Sequence, residues 1–235
     1  MNTNFHVKRN LILAAVLLSL AIAYTFAVRF IDVAPVGPEG SSVGFSSLNR
    51  FVFELIGVDL FFYTLTDRLG VVAILVAASF AILGLCQWIG RRSLFRVAPS
   101  LLLLGGHYLL TIALYVLFEK VVINFRPILM DGHLEASFPS SHTMITLSIL
   151  GSAMRMFREL FGKRRRLLCI LDGLCLFVMS VTVIGRLLSG VHWFSDIVGG
   201  ILYSAALLSL FCASLSLAKK RRDERNARKF SYAGY

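Results

Sequence analysis

Six apolar runs dominate this chain, roughly 10–30, 71–90, 100–120, 140–157, 167–187 and 194–217. About 20 apolar residues is the length at which a helix, rising about 1.5 Å per residue, crosses the hydrocarbon of a bilayer. Inside that hydrocarbon no water satisfies the backbone. A spanning segment must therefore bond its own N–H and C=O groups, which makes it a helix. The expected fold is an all-α integral membrane protein, a bundle of six transmembrane helices. Residues 1–235 form a single membrane domain, and 218–235 form a basic tail. Composition agrees, with 57% hydrophobic residues, 16% charged residues and a mean hydropathy of +0.76. No internal repeat or low-complexity linker divides the chain.

Two segments need separate treatment. The first run follows Lys8 and Arg9 and is longer than the ~7–15-residue core of a cleaved signal peptide, so it reads as a retained anchor. The segment 51–65, "FVFELIGVDLFFYTL", is apolar but carries Glu54 and Asp59, and reads as an interfacial or re-entrant helix. The four cysteines, Cys86, Cys169, Cys175 and Cys212, fall inside the runs without metal-ligand spacing. They read as small apolar residues, with neither a disulfide nor a structural zinc.

The formal net charge of +11 does not form a nucleic-acid face. Eighteen of the 24 Lys and Arg residues lie in the N-terminus, the second-to-third and fourth-to-fifth connections, and the tail. With six spans these all lie on one side, which the positive-inside rule makes the cytoplasm. Both termini are then expected there, and runs such as "GKRRR" and "KKRRDERNARK" serve topology and headgroup attraction.

The opposite face collects a different set. Lys120 and Arg126 end the third span in "FEKVVINFRP". Ser140, Ser141 and His142 open the fourth in "FPSSHTM". Arg186 ends the fifth, and His192 and Asp196 open the sixth in "GRLLSGVHWFSDIVGG". Ionisable groups at membrane depth are expensive and tend to be functional. His192 and Asp196 are four apart and share a helical face, so the carboxylate can orient the imidazole as a nucleophile. A break near Gly190 would turn Arg186 toward that imidazole, and a guanidinium suits phosphate through its planar fork of donors. In "PSSH", proline and serine start a helix, whose free N–H groups bind anions beside the His142 ring.

These three segments together resemble the type 2 phosphatidic acid phosphatase (PAP2) family of membrane lipid phosphatases, bacterial type. The family pattern is Lys, six residues, Arg-Pro; then Pro-Ser-Gly-His; then Ser-Arg, five residues, His, three residues, Asp. Arg186, His192 and Asp196 match the third motif, with Gly185 in the serine slot. "PSSH" matches the second, with Ser141 in the glycine slot. Arg126 and Pro127 match the first, but five residues separate Lys120 from Arg126, and strict register puts Glu119 in the lysine slot. Lys120 is expected to take the lysine role, because a carboxylate would repel an anionic substrate.

The resemblance implies a phosphatase without metal or cofactor. His192 would attack phosphorus to form a phosphohistidine, Asp196 would orient it, and His142 would protonate the leaving oxygen. Lys120, Arg126, Ser140, Ser141 and Arg186 would hold the phosphoryl oxygens. The implied partners are the bilayer and a lipid phosphate or diphosphate in the extracytoplasmic leaflet, such as undecaprenyl diphosphate, phosphatidylglycerol phosphate or phosphatidic acid. The loop 128–138 would help choose among them. Two alternatives are a lipid phosphotransferase of the same family and a metal-dependent hydrolase using His142, His192 and Asp196. Three cations beside those ligands oppose the metal reading.

Overall fold

The computed structural model describes residues 3–233, with side chains described from 7 to 225. Seven α-helices account for most of this range: α1 (Thr3–Phe30), α2 (Ser46–Ile56), α3 (Leu60–Arg91), α4 (Pro99–Lys120), α5 (Ser141–Phe161), α6 (Arg165–Leu188) and α7 (Phe194–Ala233). All but α2 are long. Five of them, α1, α3, α4, α6 and α7, are long and apolar enough to cross a membrane. The sixth, α5, has 21 residues, or about 30 Å of helix, but a more polar composition. Its position explains this. It packs against α3, α4, α6 and α7 at the centre of the bundle, and it buries Thr143, Thr146, Ser148 and Ser152 against them. Small and hydroxylated residues let helices approach closely in a membrane, whereas lipid-facing helices carry the large apolar side chains.

The outer helices have the complementary pattern. Leu11, Val16 and Phe26 on α1, Ile74 and Leu75 on α3, and Phe177 on α6 are all exposed. Such a surface is costly in water and matched to hydrocarbon. The first run is indeed part of the bundle, since α1 packs along α7. Its buried residues, Val7, Ala14, Ala21 and Val28, recur every seven positions, the spacing that keeps one seam against a partner helix.

One boundary differs from expectation. Residues 51–65 are not one interfacial helix, and the second span begins at Leu60 rather than near 71. Gly57, at φ +74°, ends α2. Asp59 then accepts the N–H of Phe61 at 2.9 Å and starts α3. A charge that looked like an interfacial marker is a helix cap. This correction carries Thr66, Asp67 and Gly70 into the spanning helix.

Helix ends alternate between the two faces of the bundle. The α3–α4 and α5–α6 turns lie at one end with the first part of α1 and the last part of α7. At the other end meet α2, the long α4–α5 link and the short α6–α7 link. The α4–α5 link folds back on itself through bridges between Phe125 and Ala136 and between Met130 and His133. Its tip at Asp131–Gly132 has positive φ at both residues.

Candidate active site

The α6–α7 link, residues 189–193, is the pivot of the site. Gly190 has φ +65°, and a Cβ there would lie 2.3 Å from the Gly57 carbonyl oxygen, so both conformation and space require glycine. The link is therefore pressed against the α2–α3 corner, and Asp59 N–H donates to the Ser189 carbonyl at 3.3 Å. This is the chain break that allows Arg186 and His192, on successive elements, to face the same space. Trp193 closes the other side, donating its indole N–H to the Phe125 carbonyl at 2.7 Å.

His192 is buried, with one ring nitrogen held and the other presented. Its Nδ1 lies 3.1 Å from Ser137 Oγ, which donates to Asp196 Oδ2 at 2.5 Å. The direct Nδ1–Oδ2 distance is 3.8 Å. The expected imidazole–carboxylate contact thus runs through a serine. If Ser137 donates to the carboxylate, its oxygen accepts from Nδ1–H, and the Nε2 lone pair is turned to the Arg126 guanidinium, 3.4 Å away. Backbone N–H of Trp193 also donates to Asp196 Oδ2, at 2.9 Å. Burial pushes the His192 pKa well below its ordinary value, and the charges of Arg126 and Arg186 and nearby His142 push it further. The ring is accordingly neutral at physiological pH, as a nitrogen nucleophile must be.

Two guanidinium groups flank it. Arg126 Nη1 is 3.4 Å from His192 Nε2, and its Nε pairs with Glu135 at 3.0 Å. Glu135 comes from the returning arm of the α4–α5 link, where the Arg126 N–H also bonds the Glu135 carbonyl at 3.1 Å. Of the acidic residues in that loop, Glu135 therefore serves to fix Arg126. Arg186 is wholly buried, yet none of its three guanidinium nitrogens has a hydrogen-bond partner among the described residues. Its neighbours are the Tyr63 ring, 5.0 Å from the guanidinium carbon, and Asp67 Oδ1, 3.6 Å from Nη2.

The start of α5 supplies further donors. The N–H of Ser140 is bonded to the Asp196 carbonyl at 2.9 Å, which ties this helix start to α7. Ser140 Oγ is buried without a partner and does not cap the helix. Ser141 and His142 are the first helical residues, where backbone N–H groups have no intrahelical acceptor. His142 Nε2 lies 3.1 Å from Asp67 Oδ1 on α3, and its Nδ1 is buried without a partner.

The expected residues thus converge, with one exception. Arg126, Ser140, Ser141, His142, Arg186, His192 and Asp196 meet at one end of the bundle. Lys120 is the last residue of α4 and is exposed. Glu119, with Ser137, Ser141 and His192, instead lines a small cavity of about 10 Å³, room for about one water. Two residues were missed. Ser137 gave no sequence signal beyond lying three before Ser140. Asp67 did give one, being a carboxylate inside an otherwise apolar run.

A helical membrane bundle that gathers two histidines, two arginines and a helix start around unoccupied hydrogen-bond donors is built to handle an anionic group at the membrane surface. The chain belongs to the PAP2 superfamily, whose family model matches residues 72–220. Its fold is that of a solved PAP2-type phosphatidylglycerolphosphate phosphatase from Bacillus subtilis. That likeness covers 89% of this chain and 96% of the other, at 14% identity and a TM-score of 0.60. No curated protein sequence gives a significant match. Family and fold together make this a multi-pass membrane protein of the PAP2 superfamily.

Proposed function

We propose that the protein is a metal-independent lipid phosphatase that works through a phosphohistidine at the extracytoplasmic face. The observation that carries this reading is Arg186: a wholly buried guanidinium with every donor unpaired, beside a neutral buried histidine. Leaving buried guanidinium donors without hydrogen-bond acceptors is costly, and a phosphoryl group supplies those acceptors.

In the first step the His192 Nε2 lone pair attacks phosphorus. The bond to the leaving oxygen breaks, and a proton from His142 neutralises that oxygen. Asp196, acting through Ser137, stabilises the positive charge that develops on the imidazole. Arg126, Arg186, Ser140 and the α5 N–H groups hold the non-bridging oxygens as their charge spreads. In the second step His142, now neutral, takes a proton from water. The water attacks phosphorus, the P–N bond breaks, and phosphate leaves.

The substrate is a phosphomonoester or diphosphate of a membrane lipid. The arginines and helix start take the phosphate, and the apolar helix faces suit acyl or prenyl chains. Phosphatidylglycerol phosphate, the substrate for which the Bacillus subtilis neighbour is named, is a candidate alongside undecaprenyl diphosphate and phosphatidic acid. The test is phosphate release from these three lipids by purified protein, with and without EDTA, and with His192→Ala beside wild type. Release that survives EDTA and is lost in the variant supports the reading. Release abolished by EDTA refutes metal independence, and release retained by His192→Ala refutes the nucleophile.

A further inference from the structure

We propose that Asp67 is a positioning residue that holds His142 as the proton donor. The inference rests on the reading of His142 as general acid, and it assigns a role to a residue that precedes the region matched by the family model. The geometry is specific. Asp67 Oδ1 lies 3.1 Å from His142 Nε2. The same edge of the ring faces Gly70, one turn further along α3, where a Cβ would sit 3.4 Å from Cδ2 and 3.8 Å from Nε2. The Nε2 edge is therefore committed to α3. The other nitrogen, Nδ1, is buried with no partner and is the one left to meet the leaving oxygen.

The charges around the ring give this contact its purpose. His142 is faced by Arg186 from α6, by Arg126 from the α4–α5 link and by His192 from the α6–α7 link. The two arginines are cations, and like charge beside the ring disfavours a second proton on it. Asp67, from α3, is the one anion among them. A phosphatase of this kind has conflicting requirements. Its arginines must be positive to hold phosphate, and its acid must be positive to give up a proton. A carboxylate on the far side of the ring relieves the conflict without facing the phosphate.

The proton count follows. With both ring nitrogens protonated, Nε2–H donates to Asp67 and Nδ1–H goes to the leaving oxygen. What remains is the tautomer with Nε2–H still bonded to Asp67 and a lone pair at Nδ1, placed to accept a proton from the hydrolytic water. Asp67 therefore fixes one tautomer through both steps. It does so from a position that is 56% exposed, so an isosteric amide there leaves packing undisturbed.

The experiment compares wild type, Asp67→Asn, Asp67→Glu and His142→Ala on two phosphomonoesters. One is a short-chain phosphatidic acid, whose alkoxide leaving group needs a proton. The other is a nitrophenyl phosphate carrying a long alkyl chain, whose leaving group does not. Asp67→Asn is expected to lower kcat on phosphatidic acid by about 10–100-fold, within the range of general-acid effects, and on the aryl ester by less than about threefold. The basic limb of its kcat–pH profile is expected to move down by about one unit, because the protonated ring has lost its anion. Asp67→Glu is expected to recover much of the activity.

The controls separate the two claims. His142→Ala must show the same dependence on leaving group; equal loss on both esters would overturn the general-acid reading itself. If His142→Ala behaves as expected but Asp67→Asn slows both esters equally, with the pH limb unmoved, Asp67 acts elsewhere and the proposal fails. A rise in KM or in the vanadate inhibition constant on both esters would trace its effect to Arg186, 3.6 Å away, and would also overturn it.

Discussion

The unpaired guanidinium of Arg186 leads to a prediction in which activity and stability move apart. The side chain is wholly buried, its three nitrogens have no hydrogen-bond partner, and its one anionic neighbour, Asp67, lies 3.6 Å away and is half-exposed. Replacing a buried charge by an apolar side chain of similar volume is often neutral or stabilising, by up to about 1–4 kcal/mol. Arg186→Met is therefore expected to unfold in detergent at the wild-type temperature or a few degrees above it, at roughly 2–4 °C per kcal/mol for a chain of this size. Asp67 loses its cation but stays solvated, so it adds little cost. In the transition state the loss is large: removing one preorganised donor to developing charge costs about 3–4 kcal/mol, or 10²–10³-fold in kcat. The assay is phosphate release beside thermal unfolding, each with and without orthovanadate. Vanadate at about 100 times its Kd should stabilise wild type by about 2.7 kcal/mol and the variant far less. An Arg186→Met protein that melts well below wild type would show that the arginine is a structural strut. One that keeps its activity would refute the phosphate clamp.

Other parts of the site predict separate outcomes. Ser137→Ala opens a gap between His192 and Asp196, which are 3.8 Å apart without the bridge; kcat should fall about tenfold or more with KM little changed, consistent with loss of a positioning hydrogen bond, and unchanged kcat would remove the serine from the relay. Arg126→Ala should cost about 10²-fold or more in kcat/KM, whereas Lys120→Ala should cost less than about tenfold, because Lys120 is left outside the cavity beside His192; the reverse order would return the lysine to the phosphate. Under the proposed mechanism His192 attacks as the neutral ring, and burial and the arginines hold its pKa well below 6.5. Activity should therefore persist as pH falls through 6.5 and be lost only below it, so an acid limb of kcat/KM at or above 6.5 would contradict that environment. Gly190→Ala must strain a φ of +65° and displace the Gly57 carbonyl, so both the unfolding temperature and activity should drop, by about 1–3 kcal/mol in stability.

Much of the architecture was legible because the membrane simplifies the code. A run of apolar residues near bilayer length can satisfy its backbone there only as a helix. The charged residues that converge at one end of the bundle, Arg126, His142, Arg186, His192 and Asp196, stood out for the same reason, since each interrupts apolar sequence at a helix end. The first motif was less legible. Whether Glu119 or Lys120 reaches the pocket depends on where α4 stops and how the next residues turn, and spacing alone does not decide that. The start of α3 was misplaced because Asp59 and Gly57 resemble both an interfacial helix and a corner between two helices. Only the capping bond to Phe61 distinguishes them.

Ser137 and Asp67 were hidden for a physical reason that also says how the site is organised. Neither is within helical reach of the histidine it serves: Ser137 is 55 residues from His192, and Asp67 is 75 from His142. Spacing along the chain reports only partners on the same element, such as His192 and Asp196. The contacts that set tautomer and charge come instead from other elements, the α4–α5 link for one histidine and α3 for the other. Each histidine thus has one nitrogen tied to a carboxylate, directly or through a serine; the opposite nitrogen faces Arg126 in His192 and has no partner among the described residues in His142. In the proposed mechanism that arrangement suits a neutral nucleophile on one side and a proton donor on the other. The difference between them lies in exposure: Asp196 is fully buried and reached through Ser137, whereas Asp67 stands half in solvent beside the opening. An exposed carboxylate is cheaper to ionise than a buried one, so in the proposed mechanism Asp67 suits a histidine that must carry a second proton, and Asp196, acting through Ser137, suits one that must attack as the neutral ring.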